Sequence, residues 1–377
     1  AGRYGRGAAP QCELIAALRV PLALCVCVLL GVQTGCMTVP ATGKRQLTLI
    51  GRSQEIDIGR NADRDIRSSM GTYDDRSLQT YIQSLGARIA GATERPDLPW
   101  TFAVIDDPAV NAFALPGGYI YLTRGILAHL RSEDQLAAVL GHEIAHVTAR
   151  HAVIRMSRGM LTELGLNLAT VLAPEIQDYV PLAGAGLQLL FLKYSRDDER
   201  EADRLAVRYM RNVGAHPGAL LELMNMLSRI SEKDGVGRVP VWASTHPLPR
   251  SRLDELRSLV AAQPSGKPAD RDVEFLRRIE GMVYGADPRQ GFFREDVFYH
   301  PEMTFRVGFP RGWEHANRPR GVSSMAPRRK AVIQLSLVQA ASPAAAARDF
   351  AAKVTRVERS VERTSVNGLP AARLTFT

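Results

Sequence analysis

Cysteine is nearly absent. The chain of 377 residues has four, Cys12, Cys25, Cys27 and Cys36, and none follows Cys36. The folded body therefore holds no disulfide. Thiolate metal sites are excluded as well, so any metal there must use nitrogen and oxygen ligands. A basic block is missing too. The formal charge is +9, but the excess, mostly arginine, is spread along the chain. It reads as a solvated basic surface. No nucleic-acid-binding motif accompanies it, so we expect no nucleic-acid partner; attraction to an anionic membrane surface remains compatible with it. No repeat of fixed period occurs. At 45% hydrophobic and 23% charged residues, the composition is that of a globular chain, long enough for two or three domains.

The apolar run Val20 to Val32 has thirteen residues. That is too short to span a bilayer comfortably and about the length of a secretory h-region. Arg3, Arg6 and Arg19 precede it, and Thr34-Gly35-Cys36 ends it. The stretch resembles a bacterial lipoprotein signal, although Gln33 departs from the usual leucine. On that reading residues 1–35 are a signal peptide and Cys36 is the acylated first residue of the mature chain. Residues 36–52 become a lipoprotein tether, "MTVPATGKRQLTLI" being extended. The expected location is the bacterial periplasm, at the outer membrane.

Helical spacing of Ile56, Ile58 and Ile66, then of Leu78, Ile82, Leu85 and Ile89, predicts two helices split near Gly71. "WTFAVIDD" alternates like a strand. "NAFALPGGYIYLTRGIL" reads as two short strands hinged at Pro116-Gly117-Gly118, with "GYIYLTRG" as an edge strand on which an extended substrate could pair. Ser132 followed by Gln135 suggests a capping box that opens a helix running to about Ser157. Val180 to Arg196, whose only internal charge is Lys193, reads as a buried helix; a cleft lining or a membrane contact are the alternatives. Ser195 is the expected N-cap of a helix closed by Gly214. Helices are expected at 217–230 and 249–260. The fold class is α+β. A mainly helical domain with a short β-sheet occupies 53–262, and a linker with a short helix 263–291. A small α+β domain follows at 292–377, its last strand reaching Thr377 with no closing turn, as in a truncated domain.

"LGHEIAHVTARH" carries the chemistry. On a helix, residues four apart are rotated by about 40° and rise about 6 Å, so His142 and His146 leave one face and can converge on one ion. Glu143 sits one residue round, where its carboxylate can hold the attacking water as general base. This is the geometry of a zinc-dependent hydrolase. The pattern arises by accident in roughly one chain of this length in a hundred, so context must support it. A third ligand is needed. Ala149 and Ala152 stand where a metzincin would have glycine and histidine, and His151 reads as pointing away from the pair. Residues 197 to 203 offer carboxylates instead. Glu199 and Asp203 share a face with Ala202, Ala206 and Met210, whereas Glu201 shares one with Asp197, Arg204 and Arg208 that looks like solvent. Buried acids need a partner. Glu199 is therefore the expected third ligand, and Asp203 the acceptor of a ligating histidine's free N–H. The alternative is an acidic pair tied to arginines of a neighbouring helix.

With "NAFALPGGYIYLTRGIL", "LAAVLGHEIAHVTARH", "YSRDDEREADRLAV" and "STHPLPRSRLDEL" in this order over about 111–255, the chain resembles the gluzincin peptidase family. That family includes the CAAX prenyl endopeptidase, the bacterial heat-shock membrane protease and the periplasmic protease that assists β-barrel assembly. The resemblance implies a zincin-like metallopeptidase domain binding one zinc ion per chain through His142, His146 and Glu199, with Glu143 as general base. It also implies a role for His246 near the zinc, as an extra ligand or a transition-state donor. Arg252 reads as a surface helix residue that could instead hold His246 or substrate. The expected function is endopeptidase cleavage of unfolded or misassembled envelope polypeptides, with attachment to the membrane through a lipid anchor. The competing reading is a chaperone-like binding module whose zinc is structural or occluded.

Overall fold

The computed structural model describes residues 36–172, 194–233, 241–261, 271–318, 321–354 and 357–376. The expected signal peptide, the apolar stretch before Tyr194 and the 262–270 linker lie outside the described residues. The chain divides into two compact units, Ala1–Asp287 and Pro288–Thr377.

The described part of the first unit begins with a hairpin rather than an extended tether, which corrects the sequence reading. Strands β1 (Cys36–Thr38) and β2 (Arg45–Leu47) pair antiparallel. Val39, Ala41 and Ile50 are buried, so apolar side chains dock this segment on the body. Helices α1 (Arg52–Met70) and α2 (Arg76–Gly91) follow, divided at Gly71 as the spacing predicts. Asp75 caps α2 by accepting from Leu78 N.

Strands β3 (Thr101–Ile105), β4 (Ala112–Leu115) and β5 (Tyr119–Thr123) form a sheet ordered β3-β5-β4. β5 runs parallel to β3 and antiparallel to β4. The strand expected at the edge is therefore central, and the outer strands are β3, whose far side is bonded by Thr72, Tyr73, Gln79 and Gln83, and β4. The reason is a non-local pairing: β3 takes the second side of β5, and nothing in the short pattern of β5 announces that partner. The hinge is as expected. Gly117 and Gly118 take positive φ, and a Cβ on Gly117 would meet Ile56 Cα at 2.7 Å.

After a short turn, α3 (Arg124–Leu127), comes α4 (Glu133–Thr148), capped by Ser132. Every residue of α4 except Asp134 is buried. It is the central rod of the unit, packed by α2, β4, α6 (Arg196–Asn212) and α7 (Gly218–Lys233). The motif helix does not reach Ser157 unbroken. It ends at Thr148, Arg150 takes φ 59°, and a new helix α5 (His151–Leu172) begins at once. Ser195 caps α6 in a full capping box with Asp198, and Gly214 takes positive φ just beyond its end. The helices α8 (Val241–Thr245), α9 (Arg250–Ala261) and α10 (Arg271–Ile279) complete the unit. α10 is the short helix expected after the linker, and its Phe275 is fully buried in the same core as Leu136, Leu140 and Leu85.

The second unit has two three-stranded antiparallel sheets. One is β6 (Phe292–Arg294), β7 (Val297–His300) and β8 (Phe305–Gly308); the other is β9 (Glu314–Arg318), β10 (Gly321–Met325) and β11 (Val332–Ser336). A helix, α11 (Pro343–Ala351), packs on the paired strands β12 (Val357–Val366) and β13 (Leu369–Phe376). Phe298, Phe309 and Val322 form its small core. The α+β class holds for both units.

One buried charge cluster ties the hairpin, α1 and the α4–α5 break together. Glu55 accepts two bonds of 2.9 Å from Arg95, and Arg150 Nη2 lies 3.0 Å from its Oε2. Arg95 also donates to Val147 O, and Arg150 to Ile50 O. A carboxylate between two guanidiniums is the condition under which all three can be buried. Replacing Glu55 by alanine strands both arginines. Urea unfolding of the Glu55→Ala variant is expected to show a loss of about 3–5 kcal/mol, and a loss below about 1 kcal/mol would show that the cluster does not hold the core.

Candidate metal centre

α4 and α6 pack against each other, and each contributes one polar face to the contact. From α4 come His142 and His146, and from α6 come Glu199 and Asp203; none is more than 4% exposed. The sequence phase of α6 thus places Glu199 where it was expected, opposite both histidines. His246, one residue beyond α8, closes the cluster from a third side and is 1% exposed.

The donor atoms converge. His142 Nε2 lies 3.1 Å from His146 Nε2 and 3.3 Å from His246 Nδ1. Glu199 Oε1 is 2.9 Å from His246 Nδ1 and 3.5 Å from His146 Nε2, and its Oε2 is 3.5 Å from His142 Nε2. An ion bound tetrahedrally at 2.0–2.1 Å requires ligand atoms separated by about 3.3–3.4 Å, which matches this cluster. Three imidazole nitrogens facing one another at these distances need a metal cation or shared protons among them. Three nitrogens and an oxygen, without sulfur, are a donor set suited to zinc. His142, His146, Glu199 and His246 could together hold one ion.

The surroundings prepare the donors. Burial disfavours a charged His142, but Asp203 and Glu199 outweigh that and lift it to about 9 in the metal-free protein. Burial keeps His146 well below its ordinary value, as do His142, His151 and His246 around it. Burial alone would favour a neutral Glu199, yet His246, Arg252 and His142 hold its carboxyl well below the usual range. Asp203 Oδ1 is 3.1 Å from His142 Nδ1, close but off the line of the ring N–H, and can fix the ring by charge.

Arg252 is not a surface residue. It is 2% exposed and grips Asp203 through Nε–Oδ2 at 2.6 Å and Nη2–Oδ1 at 2.8 Å. Its Nη1 lies 2.6 Å from Glu199 Oε2 without hydrogen-bond alignment, and donates to Pro247 O. The acidic pair is thus tied both to an arginine of a neighbouring helix and to the histidines; the two readings of α6 are compatible. Arg252 also holds the loop that carries His246.

Glu143 is fully buried. Trp242 Nε1 donates to its Oε1 at 3.3 Å, while Oε2 has no partner. Oε1 lies 3.7 Å from His246 Nε2, so the carboxylate borders the donor set, and its unpaired oxygen is free to hold a water.

Three contributors escaped the sequence reading. Tyr194 stacks on the His146 ring at 3.9 Å, and Trp242 stacks on His246 at 4.6 Å. Tyr194 opens one quoted motif and Trp242 lies two residues before another, but stacking is set by the packing of separate segments. His151 is the third. It lies against His146, Nδ1 to Nδ1 at 2.9 Å, rather than pointing away, because the helix breaks at Arg150. Glu201, read as solvent-facing, meets His151 and Lys44, and chiefly the hydrogen bond from His151 draws its carboxyl down to about 2. We expect Asp203→Asn to weaken zinc binding by about 10–100-fold in chelator competition; an unchanged affinity would remove Asp203 from the support of His142.

Comparison with known proteins agrees with this geometry. The chain matches the model of peptidase family M48 over residues 76–260. The beta-barrel assembly-enhancing protease of Yersinia pestis is 31% identical over 261 residues, covering 66% of this chain and 53% of that protein. The mitochondrial metalloendopeptidase OMA1 of Schizosaccharomyces pombe is 31% identical over 243 residues, covering 62% of this chain and 69% of that protein. The chain spans about half the length of the bacterial relatives it matches. Both histidines of α4, the carboxylate of α6 and His246 fall inside the matched region, and we conclude that the chain belongs to peptidase family M48.

Proposed function

We propose that the chain is a zinc-dependent endopeptidase that cleaves unfolded or misassembled proteins of the bacterial envelope. The observation that carries this reading is the buried Glu143, whose Oε1 lies 3.7 Å from His246 Nε2 of the four-donor cluster and whose Oε2 has no partner. The relatives named for β-barrel assembly and for endopeptidase activity support it.

When bound, zinc supplies Lewis-acid polarisation of the scissile carbonyl and makes water more acidic. His142, His146 and Glu199 orient the site. Glu143 takes a proton from the attacking water on Oε2 and hands it to the leaving amine, while Trp242 keeps the carboxylate from swinging away through Oε1.

The substrate's backbone would pair with the free edge of β4. Ala114, Leu115 and Pro116 of that edge and its turn border the same small cavity as His146 and Tyr194. In the present arrangement α8 covers this approach. Trp242 N donates to Val110 O, just before β4, and His246 supplies the fourth donor. That favours a second element within the same reading, a resting state that is occluded until His246 and its helix withdraw. Cys36 would carry the lipid that holds the enzyme at the outer membrane, leaving it in the periplasm.

The test is casein digestion with zinc analysis. Glu143→Gln should retain zinc and lose activity by about 10²–10⁴-fold. His246→Ala should digest faster than wild type, since it opens the fourth position. Equal hydrolysis by wild type and Glu143→Gln would instead favour a binding module with an occluded ion. In bacterial fractionation, Cys36→Ser should release the protein from the membrane fraction; retention there would refute the lipid anchor.

A further inference from the structure

The motif helix is followed by a histidine that the hydrolytic scheme leaves unused. His151 is the first residue of α5 and only 4% exposed. It reaches His146 because Arg150, pinned by Glu55 and Ile50 O, turns the chain through a left-handed residue. An uninterrupted helix would place residues 146 and 151 five apart, on different faces.

The contacts run in one direction only. If His146 uses Nε2 toward the ion, its Nδ1 carries the proton and donates to His151 Nδ1, 2.9 Å away. His151 Nδ1 is then an acceptor, so its proton lies on Nε2, which donates to Glu201 Oε2 at 3.2 Å. Glu201 Oε1 lies 2.6 Å from Lys44 Nζ. Lys44 belongs to the N-terminal hairpin, whose Ala41 O also accepts from Arg208 of α6. Each donor finds an acceptor and each acceptor a donor, from the ion's ligand to the hairpin.

We propose that His151 and Glu201 form a positioning relay that fixes the tautomer and ring orientation of His146, with Lys44 of the hairpin a screened outer contact to Glu201. The relay makes His151 a positioning residue, since it touches neither substrate nor ion. It rests on the assignment of His146 as a ligand.

The test measures zinc affinity by chelator competition on the full chain, together with thermal melting of the metal-free protein. His151→Ala should weaken zinc by about 10–100-fold, the range typical of partners behind a ligating histidine. His151→Asn keeps an acceptor near the Nδ1 position and should recover most of that loss. Glu201→Gln should have a smaller effect in the same direction. Lys44→Ala should change affinity by no more than about 3-fold, because its ammonium is half exposed and the pair is screened. A merely structural His151 would lower the metal-free melting temperature while leaving zinc affinity at the wild-type value, and that result overturns the relay. If His151→Ala does not fold, Glu201→Gln decides: unchanged affinity there also overturns it. A wild-type protein that binds no zinc would instead refute the metal centre itself.

Discussion

The molecule is organised around a cluster of charge and lone pairs buried where two helices cross. α4 is buried on nearly every side, yet its middle turn carries His142, Glu143 and His146. Polar groups placed there cannot be satisfied by water, and their desolvation is costly unless they find partners. α6 answers with Glu199 and Asp203, α9 with Arg252, and the segment after α8 with His246. The partners come from three separate stretches of chain. The pairing therefore specifies how the helices pack as much as the packing specifies the site.

A second buried cluster performs a complementary task. Glu55 neutralises Arg95 and Arg150, and in doing so stabilises a break that the chain would not adopt for its own sake. A left-handed arginine costs free energy, and the ion pairs and the bond to Ile50 O offset it. The consequence is felt at His151, which the break turns back onto His146. The N-terminal hairpin is linked to both clusters, through Met37 Sδ to Arg150 and through Lys44 to Glu201. A segment that composition alone marks as a spacer is thus packed into the machinery.

What could be read beforehand was local. The division of α1 from α2 at Gly71, the capping of α6 by Ser195, the hinge at Gly117 and the shared face of His142 and His146 all follow from turn chemistry, capping and helical period. These depend on residues within a few positions of each other. Glu199 was accessible for the same reason, since the phase of one helix separates its buried acids from its exposed ones. Phase failed at Glu201, because a side chain at the margin of that face is reached by Lys44 from another element.

The amino-acid order by itself determined the motif helix, the acids that could complete it and the α+β class, because periodicity and spacing carry that information along one helix at a time. Tertiary structure alone decided that β5 is central, that Arg252 is interior, that His151 lies against His146 and that Trp242 of α8 bonds to Val110. Each of those depends on which distant segment takes an open hydrogen bond or shields a charge from water. That choice is made by the collective burial of the core, and no single stretch of sequence encodes it.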